Sequence, residues 1–340
     1  MVYSSHSPDG THRSLRLELS WQSLVDRGLD LITRIRRWVS SGVRPKKMGD
    51  SDNQNKKQRQ YENIGPTAAL VAYYRASSDI PFAKEIAQEI NAEEISKELK
   101  VNDPLLLSKI FVAFEARFKS VDAVLGKYPN ITRFIEIPSG FSTRGITKTQ
   151  NPAVSYVECD LPLILQEKQK LVGRILAHTD GARNRSLFFH AASILDGDQL
   201  HCAADQLSDG PIAIITEGLL SYLTIQERTA AAKNVWALLA AHGGVWIVTD
   251  LTRMFRPDDA KAAELRQRIS TTTGFSPITG CFSKNSEAKR FFNLLGFKVH
   301  DYRRSEVMDT LSASKSSGLS DNEVRSFLEP QATFALEARL

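Results

Sequence analysis

No stretch of this chain approaches the ~20 consecutive apolar residues needed to span a bilayer, so a helical membrane anchor is not expected. Cysteine is scarce. The 340 residues hold three, Cys159, Cys202 and Cys281, far apart and without a C-x-x-C pair. That set argues against a disulfide framework or a structural zinc and points to a reducing compartment, so the expected location is cytoplasmic. Cys159 and Cys202 read as small buried hydrophobes rather than nucleophiles. The chain also lacks a G-x-G-x-x-G run, which counts against a pyrophosphate-bridged dinucleotide. It offers no convincing Ser-His-Asp or Cys-His arrangement and no expected metal site.

Charge is unevenly placed. Overall the formal charge is +5, with 44 Lys+Arg and 39 Asp+Glu. Residues 1–60 hold 12 of the basic and 6 of the acidic residues, so the remaining 280 residues carry 32 against 33. The basic balance belongs to the N-terminal segment and gives no support to a nucleic-acid groove in the rest. Within that segment Trp21, Leu24, Val25, Leu31, Ile32, Ile35, Trp38 and Val39 recur at helical spacing, with Arg27, Arg34, Arg36 and Arg37 off the stripe. Two readings stand for residues 21–39: a helix docked on its own domain or a partner, and a peripheral membrane-surface helix. Residues 40–60 are polar and read as a flexible linker.

The most informative segment is Thr132–Pro162. Arg133–Ile137 has the pattern of a buried strand, Gly140 sits where the chain must turn, and Val154–Cys159 is the next strand. Asp160 closes it, about 20 residues after the glycine, where a carboxylate can accept hydrogen bonds from ribose hydroxyls. Pro138 and Ser139 stand where a dinucleotide fingerprint would want glycine. A phosphate-free nucleoside such as S-adenosylmethionine therefore suits the turn better than NAD. A strand–glycine–helix unit with no nucleotide is the other reading of this segment alone.

The remaining pattern predicts an α/β fold. Helices are expected over Thr67–Ala76, Pro81–Leu99 and Pro104–Tyr128. Strands Arg133–Ile137, Val154–Cys159, Leu187–Ala192, Ile212–Thr216 and Val245–Asp250 then alternate with helices Pro162–Ala177, Ile225–Ala241 and Pro257–Ile269. A helix at Asn285–Leu295 and strands Phe297–Tyr302 and Ala332–Glu337 close the chain. Repeated strand–helix crossovers imply a mostly parallel sheet covered on both faces. The expected organisation is a basic helix and linker over 1–60, a helical cap over 61–130 and a cofactor-binding domain over 131–340.

In order, TAALVAYYRA, FEARFKSVD, FIEIPSGFSTRG, YVECDLP with Lys168 downstream, TEGLLSYL, VTDL and AKRFFNLLGFKV resemble the blocks of the leucine carboxyl methyltransferase family, including its polyketide O-methyltransferase branch. The resemblance runs from about Thr67 to the C-terminus. It implies a Rossmann-like class I fold with a seven-stranded sheet and a helical N-terminal cap. It also implies S-adenosylmethionine as cofactor and methyl transfer to an oxygen of a small-molecule or polyketide-like acid. By position it implies that Arg117 grips the cofactor's carboxylate, Gly140 underlies its amino-acid half and Asp160 holds the ribose. Glu136, Ser193 and Ile194 join the cofactor set, and Glu217 lies beside the cofactor near the transfer site, with Tyr222 in the substrate pocket. Ser193 stands where the family usually has an aspartate for the adenine amino group, and Asp196 is a candidate substitute.

Each residue has a plainer reading. Asp160 can be the N-cap of the helix starting at Pro162, Glu217 a solvated loop acid, and Arg117 a surface ion pair. Tyr222 can be core packing, and His190 a satisfied core histidine rather than a base. A carboxylate acceptor needs no general base at neutral pH, and Arg75 in the cap is placed to steer such an anion. The rival functions are a methyltransferase fold that binds without turnover, motivated by Ser193 and Pro138, and a nicotinamide-dependent oxidoreductase.

Overall fold

Alternate residues of the central strands face opposite ways, and both sets are apolar. In Ile212–Thr216, Ile212 and Ile214 enter one core with Ile135, Val157, Trp246 and Val248, while Ala213 and Ile215 enter another with Phe134, Tyr156, Val245 and Ile247. A strand apolar on both faces must be covered on both. The computed structural model describes residues 66–94, 103–177, 186–252, 254 and 281–340, with isolated positions between 260 and 267. The helix and linker expected over residues 1–60, the helix expected at Pro257–Ile269 and most of the Ser270–Lys284 insertion lie outside the described residues.

Seven strands form one sheet: β1 (Arg133–Glu136), β2 (Ser155–Asp160), β3 (Leu187–Ala191), β4 (Ile212–Thr216), β5 (Gly244–Val248), β6 (Phe297–Arg303) and β7 (Ala332–Ala338). Their order is β3-β2-β1-β4-β5-β7-β6. The first five are parallel, and β7 runs antiparallel between β5 and β6. The strand order reverses between β1 and β4. In such sheets the carboxyl ends of the strands at that point form the natural ligand crevice.

The helices are α1 (Pro66–Ala76), α2 (Ala83–Glu89), α3 (Pro104–Leu125), α4 (Arg144–Lys148), α5 (Pro162–Ala177), α6 (Gly197–Ala204), α7 (Ile225–His242), α8 (Asn285–Leu294), α9 (Ser312–Ser316) and α10 (Asp321–Leu328). Their ends follow local chemistry. Asp103 accepts from the Leu106 N–H at 2.7 Å with Pro104 behind it, and Thr224–Glu227 and Ser320–Glu323 are capping boxes. The expected helix at Pro81–Leu99 is interrupted: Phe82 and Asn91 adopt left-handed backbone at φ 63° and 52° and bracket α2, helix resumes over 92–94, and residues 95–99 lie outside the described residues. Helices α6, α9 and α10 were not anticipated; all three are short, and α9 and α10 are rich in serine, aspartate and asparagine. Cys159 is buried as expected, but Cys202 is exposed. The apolar positions of α6 that face inward are Leu200, Ala203 and Ala204, and Cys202 falls between them on the solvent side.

Among the described residues, no helix is long and apolar enough to cross a membrane. Two glycines give a paired test of packing. At Gly244, φ is 113° and an added Cβ would lie 1.9 Å from the Ile212 carbonyl oxygen. At Gly173, within α5, an added Cβ would meet nothing within 4 Å. Gly244→Ala is expected to lose about 2–4 kcal/mol. Gly173→Ala is expected to gain roughly 0.5–1 kcal/mol from helix propensity. Urea denaturation of both variants checks this, and equal stabilities would refute the close approach at Gly244.

Candidate active site at the carboxyl edge of the sheet

The loop after β1 is pinned from three directions. Ile137 N–H donates to the Ile215 carbonyl and Ser139 N–H to the Cys159 carbonyl, each at 2.8 Å. The third tie is Gly140 N–H, which donates to Asp160 Oδ2 at 2.7 Å. Gly140 has φ 46°, and an added Cβ would approach nothing closer than the Ala68 methyl of α1 at 3.9 Å. The turn therefore needs glycine for its backbone and leaves open space above it. Asp160 also accepts from the Leu161 N–H at 2.7 Å. Neither bond is an N-cap bond to the first turn of α5; the carboxylate organises the loop instead. Burial raises its pKa, and the two backbone donors oppose that rise. A carboxylate has about four lone-pair sites, so two such bonds leave acceptor capacity.

Beneath the loop lies a second buried pair. Lys168 Nζ is 2.8 Å from Glu158 Oε2, and both side chains are fully buried. Lys168 also reaches toward the Ser139 carbonyl at 3.3 Å. Burial pushes the Glu158 carboxyl up to about 7 against the pull of Lys168. An added Cβ at Gly145 would sit 2.3 Å from Glu158 Oε1, so α4 rests directly on this acid.

At the ends of β4 and β5 the dominant feature is Glu217, buried and held by three arginines. Arg117 Nε donates to its Oε1 at 2.8 Å, and Arg75 of α1 donates to the same oxygen. Arg144 Nη2 donates to Oε2 at 3.4 Å. Burial alone would raise the Glu217 pKa, but Arg75, Arg117 and Arg144 outweigh it and hold the carboxyl far below the usual range. Arg117 also pairs with Asp250 at 3.3 Å, and Asp250 accepts from the Gly218 N–H. Arg144 bonds Glu136 at 2.6 Å and Asp122 at 3.2 Å. The guanidiniums of Arg75 and Arg144 lie 5.0 and 4.1 Å from the Phe118 ring centroid, and that of Arg117 lies 4.4 Å from Phe114. Burial lowers the Arg75 pKa and Glu217 only partly restores it, whereas Asp250 and Glu217 carry Arg117 above its ordinary value despite burial.

The structure thus brings Arg117, Gly140, Asp160 and Glu217 to one sheet edge. Arg117 is buried and is no surface pair; Glu217 is no solvated loop acid. Glu136 is enclosed, with Arg144 on one oxygen and Tyr156 Oη at 2.8 Å on the other. Beyond β3, Ser193 N–H donates to Gln199 Oε1 at 2.9 Å, its Oγ accepts from the Leu195 N–H at 3.2 Å, and Ile194 is buried. Asp196 caps α6 by accepting from the Gln199 N–H at 3.1 Å, which ties its Oδ1 to the helix. Tyr222 ends a 3-10 turn at Leu220–Tyr222, and burial pushes its phenol up to about 12. His190 pairs through Nδ1 with Gln206 at 2.7 Å. Sequence reasoning missed Arg144. It lies four residues after Gly140, but its carboxylate partners sit on β1, α3 and the β4 loop, so no local spacing marks it. Among the described residues, no group of three or more His, Cys, Asp or Glu is placed to hold a metal ion.

No protein-family model matches the chain, and no curated protein resembles it significantly. Solved structures do. A DUF574 family protein from Streptomyces avermitilis superposes with a TM-score of 0.51 at 15% identity, over 81% of this chain and 97% of that one. Magnesium protoporphyrin IX methyltransferase from Synechocystis, solved with S-adenosylhomocysteine, gives a TM-score of 0.42 at 14% identity, over 74% and 95%. At such identities the first likeness is one of fold, and the second is too weak to argue from. The fold is α/β with a seven-stranded, mostly parallel sheet.

Because the Glu217 pKa is depressed on folding, its stabilising contribution is complete above the ordinary carboxylate range and is lost as pH falls through the folded-state value. Glu217→Ala takes the carboxylate from Arg75 and one of the partners from each of Arg117 and Arg144, all buried, and is expected to cost about 3–5 kcal/mol at neutral pH. The gap between wild type and variant should narrow as pH drops below about 4. Guanidinium denaturation at pH 7 and pH 3.5 measures it; a gap that stays constant or widens in acid would contradict the charge assignment.

Proposed function

We propose that this chain is an S-adenosylmethionine-dependent O-methyltransferase acting on a carboxylate of a small molecule or polyketide-like acid. The observation that carries this reading is the junction of Asp160 and Gly140 at the ends of β2 and β1, with open space over a left-handed glycine and an acid beside it. The surrounding donors fit the group. Ser139 Oγ, Thr143 Oγ1 and Arg75 Nε are buried and lack hydrogen-bond partners among the described residues. Orphaned buried donors ask for a polar ligand. Asp160 would hold the ribose hydroxyls and Arg117 the amino-acid carboxylate, for which a planar guanidinium is suited. When bound, the cofactor supplies an already activated methyl group. The chain's own residues then have to align the acceptor oxygen and exclude water.

The charge states of the site favour an acceptor that needs no proton removed. Glu217 stays ionised far into acid, Tyr222 stays neutral to about pH 12, and Arg117 stays charged. None of these is poised to act as a base near neutrality. An ionised carboxylate can accept a methyl group without one, and Arg75, whose Nε is unpaired, faces the same site to orient it. Ser193 motivates a second reading, binding without turnover, because Asp196 is engaged in capping α6.

Calorimetry with S-adenosylhomocysteine, S-adenosylmethionine and NAD, followed by transfer from a labelled methyl donor to a panel of organic acids, tests these readings. We expect both sulfur nucleosides to bind, NAD not to bind, and Asp160→Ala to abolish transfer. Transfer by the wild type should vary little between pH 6 and pH 9. Binding with no transfer to any acid favours the second reading, and heat from NAD alone would replace both.

A further inference from the structure

Outside the arginine cluster, Lys168 and Arg304 are buried cations with oxygen partners, and Arg228 is a buried cation for which none is found among the described residues. Arg228, in the first turn of α7, is 6% exposed, and its Nε and Nη1 are buried with no hydrogen-bond partner. Among the described residues no carboxylate pairs with it. The neighbouring acid, Glu227, lies on the next face of the helix and accepts from Thr224 N–H and Oγ, both at 2.9 Å. The position is also unfavourable for the helix itself. A cation in the first turn opposes the macrodipole. The guanidinium carbon lies 4.9 Å from the centroid of the Phe282 ring. A face-on aromatic compensates a desolvated guanidinium in part and leaves its N–H edges open.

Phe282 locates this cation. Its N–H donates to the Leu251 carbonyl at 2.7 Å, and it bridges Thr252 in parallel, so it prolongs the sheet edge just past Asp250. Tyr222 lies within electrostatic reach of Asp250, Arg117 and Cys281, and Arg228 within reach of Cys281. Arg228 therefore adjoins the candidate site through Phe282, which is bonded to Leu251 next to Asp250. Burial depresses the Arg228 pKa, with Cys281 the one group that counters it. A buried, uncompensated cation is costly to keep.

We propose that Arg228 and Phe282 form an anion subsite, distinct from the three-arginine cluster, that takes a second oxyanion of the acceptor. Calling the ligand the acceptor rests on the methyltransferase reading; the anion subsite does not. The acceptor so specified bears at least two acidic groups, one presented for methylation and one held at Arg228 to fix its orientation.

The test uses the full chain with benzoate as the anionic probe and benzamide as its neutral counterpart, measured by ligand-observed NMR on wild type, Arg228→Met and Arg228→Lys. Benzoate binding is expected to weaken roughly tenfold to a hundredfold in Arg228→Met, with Arg228→Lys retaining part of it and benzamide indifferent to both changes. Thermal melts accompany each variant. Arg228→Met should melt at or above the wild-type temperature, because it removes an unpaired buried charge. Benzoate binding equal in wild type and Arg228→Met, or no benzoate binding to wild type, overturns the subsite. A lowered melting temperature in Arg228→Met also overturns it, by showing the arginine to be structural. S-adenosylhomocysteine calorimetry is run separately: no heat there, with an Arg228-dependent benzoate signal intact, removes the methyltransferase reading and leaves the subsite standing.

Discussion

The site depends on one ionised carboxylate. Glu217 is buried where no isolated acid would stay charged, and Arg75, Arg117 and Arg144 keep it so. These arginines come from α1, α3 and α4, while Glu217 follows β4. A buried ion network of this kind adds little net stability over an apolar core of the same volume. What it does supply is position. Each arginine is fixed by the shared acid and by an aromatic ring, and the cluster leaves an unpaired donor on Arg75. The groups that tie these helices together also line the candidate site, and a change at Glu217 disturbs helices from three separate parts of the chain.

The cap is part of this arrangement. Helix α1 contributes Arg75 to the cluster and Ala68 beside the would-be Cβ of Gly140. It packs on α3 through Tyr73, Tyr74, Phe111 and Phe114, and shares an apolar cluster with Ile86 and Ala87 of α2 through Ala69 and Ala72. The roof of the crevice is therefore set by aromatic packing remote from β1 and β2, which set its floor. Roof and floor come from different parts of the chain, so their residues can vary separately.

Most of the frame was legible in the sequence, for a physical reason. Strands with apolar residues on both faces, separated by amphipathic helices, admit few arrangements other than a parallel sheet covered on both faces. Ile212–Thr216 and Pro162–Ala177 were bounded as observed. Short polar elements escaped: α9 and α10 owe their place to tertiary contacts, such as Glu115 of α3 accepting from the N–H groups of Ser312 and Ala313 at 2.8 and 2.7 Å. At the site, Gly140 and Asp160 were visible because their roles are local to one strand–turn–strand unit. Arg144 and Arg228 were not, since a buried arginine and a surface arginine look alike until their neighbours are known. Asp196 shows the converse: an acid at a suggestive position turned out to serve the helix beside it.

Strand β7 is inserted between β5 and β6, bonded to both along its length. The segment that bridges them is the last strand of the described chain, so the sheet cannot be closed by a growing polypeptide until residues beyond 330 have left the ribosome. Until then β5 and β6 each present an open edge. Without β7 the sheet has five strands, and the outer edge of β5 carries unpaired backbone donors and acceptors.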